Sequence, residues 1–288
     1  MDLAAMLNGR ETSWVVQQVA EVPSFGAVGK ACAQGRGERR SGAKGGRQMA
    51  ITLLQARPHG WQRQDAWGKA LITLSIGSVI AAIGPFDVAF GLATGGSALL
   101  RAVALPALGL AGLFFASRVG LTVPTFGLRH PWRTPLAVAF LVAAGVAAVD
   151  GFIFRPHLPT DYVAAFRNSD DAERLLYFML RAFNEQIIYR LFLMSFLVWG
   201  LGLMWRGDGG RPANGAYWAA MLMAQVANIA LNMPLPATPT MLCYEFVRYI
   251  CPGIVWGYLY WRHGFMTAEV AHVGTHPFLQ PALGYLLG

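Results

Sequence analysis

Residues 171–206 read DAERLLYFMLRAFNEQIIYRLFLMSFLVWGLGLMWR, a charge-dense opening that runs into a long apolar tract. Asp170, Asp171 and Glu173 crowd one end, where acidic groups complement a helix N-terminus, and Arg206 with Gly209 and Gly210 marks the other. At about 1.5 Å rise per residue, a helix of this length crosses a bilayer with several turns to spare. Its middle holds Arg181, Asn184, Glu185, Gln186 and Arg190 among side chains that otherwise belong in lipid. Charge at that depth is costly, so it marks either a functional site or an internally neutralised helix that stabilises a bundle by ion pairing. Arg181 stands one turn before Glu185 and Arg190 one turn after Gln186, so each pair shares a helix face.

The whole chain carries the same signature. Of its 288 residues 55% are hydrophobic and only 13% are charged. A mean hydropathy of +0.41 is wrong for a soluble domain and normal for a polytopic membrane protein. The formal charge of +8 then belongs with lipid headgroups and cytoplasmic loops. Nucleic acid is not an expected partner, because no soluble module interleaves basic and aromatic residues. The three cysteines have no metal-ligand spacing. Cys243 and Cys251 fall on one expected helix about 12 Å apart, beyond disulfide reach, and Cys32 lies in a polar tail.

Residues 1–48 are of a different kind. From Gly29 to Gln48 the chain is Gly- and Arg-rich with almost nothing to bury, so a disordered basic extension is expected. Met49 is a plausible second start, and the extension is then not translated; the alternative is a basic arm lying on anionic lipid. A juxtamembrane segment, 49–68, carries Arg57 and Arg63, and a membrane domain fills 69–288. Its apolar segments are 70–90, 97–116, 136–154, 171–206, 217–231, 241–261 and 265–287. Arg101 lies near a segment end and is expected to snorkel. The fifth and seventh segments are short or interrupted by polar groups, which suits helices that line a site. The reading is an all-α, polytopic transmembrane helix bundle of about seven to eight spans. No paired inverted repeat argues for a small-solute transporter.

Polar groups recur on three of these segments: Glu185, Gln186 and Arg190; then Asn228 and Asn232; then His272 and His276. The two histidines are four apart and share a face. A buried Glu185 would serve as general base on a water, and a histidine or asparagine opposite would hold the oxyanion formed as water attacks an amide. Glu185 with His272 and His276 also makes a two-histidine, one-carboxylate set compatible with zinc and an open position for water. On the residues alone the metal-free site and the zinc site stand side by side. Each part also has a structural reading: histidines in apolar helices are commonly packing residues, and Asn232 would cap a helix end. Glu245 and Arg248, three apart, read as a local ion pair.

The order and local sequence of these parts resemble a family. Glu185-Gln-Ile-Ile-Tyr-Arg190 is similar to the EExxxR signature of the CAAX-protease and bacteriocin-processing (CPBP, or Abi) intramembrane endopeptidases. Val226-Ala-Asn-Ile-Ala-Leu-Asn232-Met-Pro resembles the FxxxH block of that family. Gly257-Tyr-Leu-Tyr-Trp-Arg-His-Gly through Ala268-Glu-Val-Ala-His272-Val-Gly-Thr-His276 resembles its closing motif. The resemblance runs from about Asp171 to the C-terminus. It implies hydrolysis of a peptide bond near the C-terminus of a membrane-tethered protein or peptide, with no metal. Glu185 would be the base, Arg190 would order the region around it, and Gln186 would position water or substrate. Asn232, His272 and His276 would hold water and oxyanion. The chain departs from the pattern at Gln186 (Glu in the family), Asn228 (Phe), Asn232 (His) and His276 (Asn or Asp). The last two are either a compensated exchange of imidazole and amide or the mark of a catalytically inactive member acting as scaffold or immunity factor. The expected location is the bacterial inner (cell) membrane, in contact with lipid.

Basic residues follow alternate segments: Arg118, Arg129 and Arg133, then Arg206 and Arg211, then Arg262 and His263. The positive-inside rule therefore puts the N-terminus in the cytoplasm. Single cysteines placed in loops 118–133 and 155–170, exposed to a membrane-impermeant thiol reagent from outside the cell, are expected to react only in the second. Reaction of the first loop would reverse the topology.

Overall fold

The computed structural model describes residues 64–84, 88–122, 132–233, 236 and 238–288. The basic extension, the Met49 start, Cys32, Arg57, Arg63, Arg129 and Pro234 lie outside the described residues. Joined across their wider turns, the elements make nine helices among the described residues, with no named strand. These are α1 (Gln64–Ile83), α2 (Val88–Ala93), α3 (Ala98–Val119), α4 (Arg133–Ile153) and α5 (Thr160–Asn168), then α6 (Asp171–Met204), α7 (Asn214–Asn232), α8 (residues 239–263) and α9 (Phe265–Leu287). Three of them, α3, α4 and α6, are long and apolar enough to cross a membrane, and Gly68–Ile83 is a shorter apolar helix. The expected first segment, 70–90, stops as a helix at Ile83 and resumes as the separate α2. The amphipathic α5 falls in a stretch read as loop.

The centre is α6. The Asp170 carboxylate accepts from the amides of Ala172 (2.8 Å) and Glu173 (3.2 Å), satisfying two of the donors that a helix start leaves open. Beyond Met204 the chain turns tightly through Gly209 and Gly210, both at positive φ, and a bridge between Arg206 and Pro212 sets the start of α7. Helices α1, α3, α7, α8 and α9 all pack on α6. Around it lies a core that includes Leu105, Leu113, Ile187, Leu191, Met194, Met221 and Tyr260. A second apolar cluster joins α4, α5, α8 and the far half of α9 through Val146, Phe166, Tyr244 and Leu283. Apolar side chains also cover the outside: Ile72, Val79, Leu99, Val103, Phe140, Leu141 and Val226 are exposed, as they are on helices whose solvent is lipid.

Helices α6 and α9 run antiparallel in a register fixed by three contacts. The Arg174 guanidinium reaches the Gln280 carbonyl (3.4 Å), Phe178 stacks on His276 (5.7 Å between ring centres), and the Gln186 amide reaches the Ala268 carbonyl (3.4 Å). This sets Glu185 level with Glu269 and Ala182 level with His272. Arg101 does not snorkel. It is buried, and its guanidinium donates to the carbonyls of Ala81 (2.7 Å), Ala82 (3.4 Å) and Gly96 (2.6 Å). The first two are open carbonyls at the C-terminal end of α1, where a cation also meets the negative end of the helix dipole.

Close backbone approach is the other requirement of such packing. At Gly112 on α3 an added Cβ would lie 2.5 Å from the Leu191 carbonyl oxygen of α6, which is backbone and cannot swing away. Gly112→Ala is expected to destabilise the protein by about 1–3 kcal/mol through overpacking. Gly145→Ala on α4, where a Cβ meets open space, is the control. Melting of the two detergent-solubilised variants checks this: only the first should fall.

Candidate functional site

From Gln186 to Met194 the turns of α6 widen to π geometry, directly after Glu185. The wide segment buries Gln186, Tyr189 and Arg190. The Arg190 guanidinium donates through Nη2 to the Gln225 side-chain oxygen of α7 and to the Gly253 carbonyl of α8 (3.3 Å). Gln225 in turn donates to the Tyr249 carbonyl (3.1 Å). The planar, many-donor guanidinium is suited to several acceptors at once, as an ammonium is not. Gly253 is required beside it, because a Cβ there would fall on the Gln225 side chain, and Gly257 one turn on meets Met221 in the same way. This spacing of small residues lets α7 and α8 close over Arg190.

Glu185 sits at the mouth of the widened segment with its side chain 15% exposed. Its Oε1 accepts from Arg181 Nε at 2.9 Å, the pairing that the four-residue spacing predicts. Gln186 and Arg190 do not pair with each other: Gln186 turns to the Ala268 carbonyl of α9 and Arg190 to α7 and α8. The Arg190 guanidinium also lies 5.7 Å from the Trp256 ring centre. Trp256 stacks on His272 at 3.6 Å between ring centres. A continuous path thus runs from α6 through α8 to α9.

Along this path several buried polar atoms have no hydrogen-bond partner among the described residues. They are Gln186 Oε1, Arg190 Nη1, Trp256 Nε1, both carboxyl oxygens of Glu269, and His272 Nδ1. Glu269 is 3% exposed. Glu269 falls within the closing motif block, where the resemblance gives it no role. Its signal was present: Glu269, His272 and His276 are spaced by three and four on one face of α9, and an acid within an apolar helix calls for a partner. Unmet polar groups at this density are rare in folded proteins and ask for a ligand or water.

The remaining candidates lie apart. Asn232 donates to the Tyr189 hydroxyl (2.8 Å), the Asn228 carbonyl (2.9 Å) and the Asn228 amide oxygen (3.0 Å), and accepts from the Ala89 amide of α2 (3.2 Å). It braces the widened turn from the side of α2, and no hydrogen bond joins it to Glu185. His276 lies between Phe178 and Gln280, with Nδ1 3.3 Å from the Gln280 amide nitrogen, and is 5.7 Å from His272 between ring centres. By the helix register it is nearly two turns from the level of Glu185. The zinc alternative is not assembled: among the described residues no three His, Cys, Asp or Glu side chains come close enough to hold a metal ion. Glu185 is turned to Arg181 and His276 to Gln280, so the set Glu185, His272 and His276 does not converge. The local Glu245–Arg248 pair is also absent. Arg248 instead pairs with the fully buried Asp150 of α4 (3.0 Å), which also accepts from the Tyr162 hydroxyl (2.8 Å).

These features define an all-α protein with membrane-length helices and a buried polar centre at the junction of α6, α8 and α9. No protein-family model, curated protein or solved structure matches the chain. The Arg190 network carries a direct expectation. Gln225→Leu leaves Arg190 Nη2 with the Gly253 carbonyl alone and should cost about 1.5–3 kcal/mol, the usual loss for a hydrogen bond to a charged group. Gln225→Glu, which still accepts, should lose less, and denaturant titration in detergent separates the two.

Proposed function

We propose that the chain is a polytopic protein of the bacterial cell membrane, of about seven to eight spans with a cytoplasmic N-terminus, that hydrolyses a peptide bond of a membrane-tethered protein or peptide. In this reading it is a member of the CPBP-type intramembrane endopeptidases that its motifs resemble. One observation carries the proposal: the unpartnered buried atoms beside Glu185 complement a peptide group. Arg190 Nη1 and Trp256 Nε1 are donors for a carbonyl oxygen. Gln186 Oε1 is an acceptor for the amide N–H, and His272 Nδ1 serves either role according to its tautomer.

The work of each side chain follows from its place. Arg181 holds the Glu185 carboxylate in one orientation, and Glu185 takes a proton from water as the water oxygen attacks the scissile carbonyl carbon. Arg190 and His272 hydrogen-bond the oxygen on which negative charge develops, in a setting where water does not compete. Asn232 and His276 position rather than react: one braces Tyr189 in the widened turn, the other fixes α9 against Phe178.

A second reading, a non-catalytic scaffold or immunity factor of the same fold, is favoured by Glu185 being already ion-paired and by Asn232 having its hydrogen bonds occupied. Cleavage of lipid-tethered fluorogenic peptides by protein in liposomes separates the two. Glu185→Gln should lower kcat/KM by about 10²–10⁴, the worth of a general base, with melting unchanged within a few degrees. His272→Ala should lower it by about 10²–10³ through loss of an oxyanion donor. A wild-type protein that cleaves no peptide of a broad tethered panel would favour the scaffold.

A further inference from the structure

Glu269 has no task in the mechanism above, yet its position is costly. Both oxygens are buried without a partner among the described residues, on a helix packed against α4, α6 and α8. A polar group left unmet in such a place is destabilising by itself, so its retention asks for a use. The register of α6 and α9 sets it level with Glu185. Gln186, the residue after Glu185, is hydrogen-bonded to the carbonyl of Ala268, the residue before Glu269. The two acids therefore stand at one level of adjoining helices, beside the unmet Gln186 oxygen, and their surroundings differ. Glu185 is partly exposed and ion-paired; Glu269 is buried and has no hydrogen-bond partner among the described residues. Two carboxyls in unlike settings at one site are suited to opposite halves of a proton-transfer cycle.

We infer that Glu269 is the proton donor to the leaving nitrogen, a second catalytic residue of the amide hydrolysis; this rests on the hydrolytic reading of the site. Attack forms a bond between the water oxygen and the carbonyl carbon, and the water proton passes to Glu185. Collapse of the tetrahedral intermediate breaks the carbon–nitrogen bond, and the Glu269 O–H proton passes to the departing nitrogen. The products are a carboxylic acid and an amine, with Glu185 protonated and Glu269 ionised. Water that enters as products leave returns the proton from Glu185 to Glu269. No oxidant, reductant or further reactant is needed.

The test compares two tethered substrates with the same acyl part: a peptide amide, whose nitrogen must be protonated to leave, and a 4-nitrophenyl ester, whose phenolate leaves unaided. Glu269→Gln should cut amide turnover by about 10²–10⁴ while ester turnover stays within about threefold of wild type. Glu185→Gln should depress both. Glu269→Asp, which keeps a proton donor on a shorter arm, should regain part of the amide activity lost in Glu269→Gln. Equal loss of amide and ester turnover in Glu269→Gln, or loss of neither, overturns the assignment and leaves the hydrolytic reading standing. If wild type turns over neither substrate, the hydrolytic reading falls and takes this inference with it.

Discussion

A buried guanidinium needs acceptors from the fold, and the two that Arg190 finds through Nη2 shape what lies around it. Taking the charge out of water carries a penalty of several kcal/mol, recovered only if donors and acceptors meet in good geometry. The acceptors come from two helices distant in sequence, Gln225 on α7 and Gly253 on α8. Regular α turns would keep Arg190 on the face of Gln186, which is committed to α9; the widened turns let neighbouring polar residues face three different helices. The small residues at 253 and 257 follow from the same demand, since α7 and α8 must come close enough for a side-chain amide and a main-chain carbonyl to share one arginine.

The pattern repeats elsewhere. Widened turns occur at 149–153, 186–194 and 246–250, and they hold Asp150, Arg190 and Arg248 respectively. Asp150 and Arg248 meet each other, joined by Tyr162 from α5, so two of these widened turns are fastened across the bundle by one ion pair. The bundle thus has two polar centres of different kinds. In the Asp150–Arg248 centre the charges neutralise one another, and breaking that pair would strand a buried charge. Among the described residues that centre leaves one carboxylate oxygen, Asp150 Oδ1, unmet, whereas the centre around Arg190 leaves donors and acceptors unmet on five residues, which is the difference between a fastening and a site.

Much of this was legible in the residues. The acids that open α6, its length, and the Arg181–Glu185 pair follow from capping and from four-residue spacing, and α9 begins and ends at 265 and 287 as its apolar run does. What could not be read depended on contacts between distant segments. Arg101 looked like a snorkelling residue because nothing local reveals that the carbonyl end of α1 lies across from it. Arg248 looked committed to Glu245 because its partner, Asp150, is 98 residues away. The widened turns left no trace in hydrophobic periodicity, because segments of five to nine residues are too short to reveal a change of period. Glu269 is hidden differently: it lies one turn from His272, inside a motif block that assigns it no role, and only the packing of α9 shows its burial.

The clasp between Arg101 and the end of α1 bears on how the protein is made. As α3 emerges during synthesis, an arginine one turn into an apolar helix opposes its passage into lipid by about 2.5–3.5 kcal/mol at mid-helix depth, less towards the end. The acceptors that remove the opposition are carbonyls of α1, already synthesised some twenty residues earlier. Closure of this clasp as α3 follows α1 gives the arginine its acceptors without a solitary stay in an apolar setting. The order of synthesis thus suits the order in which the bundle needs its parts.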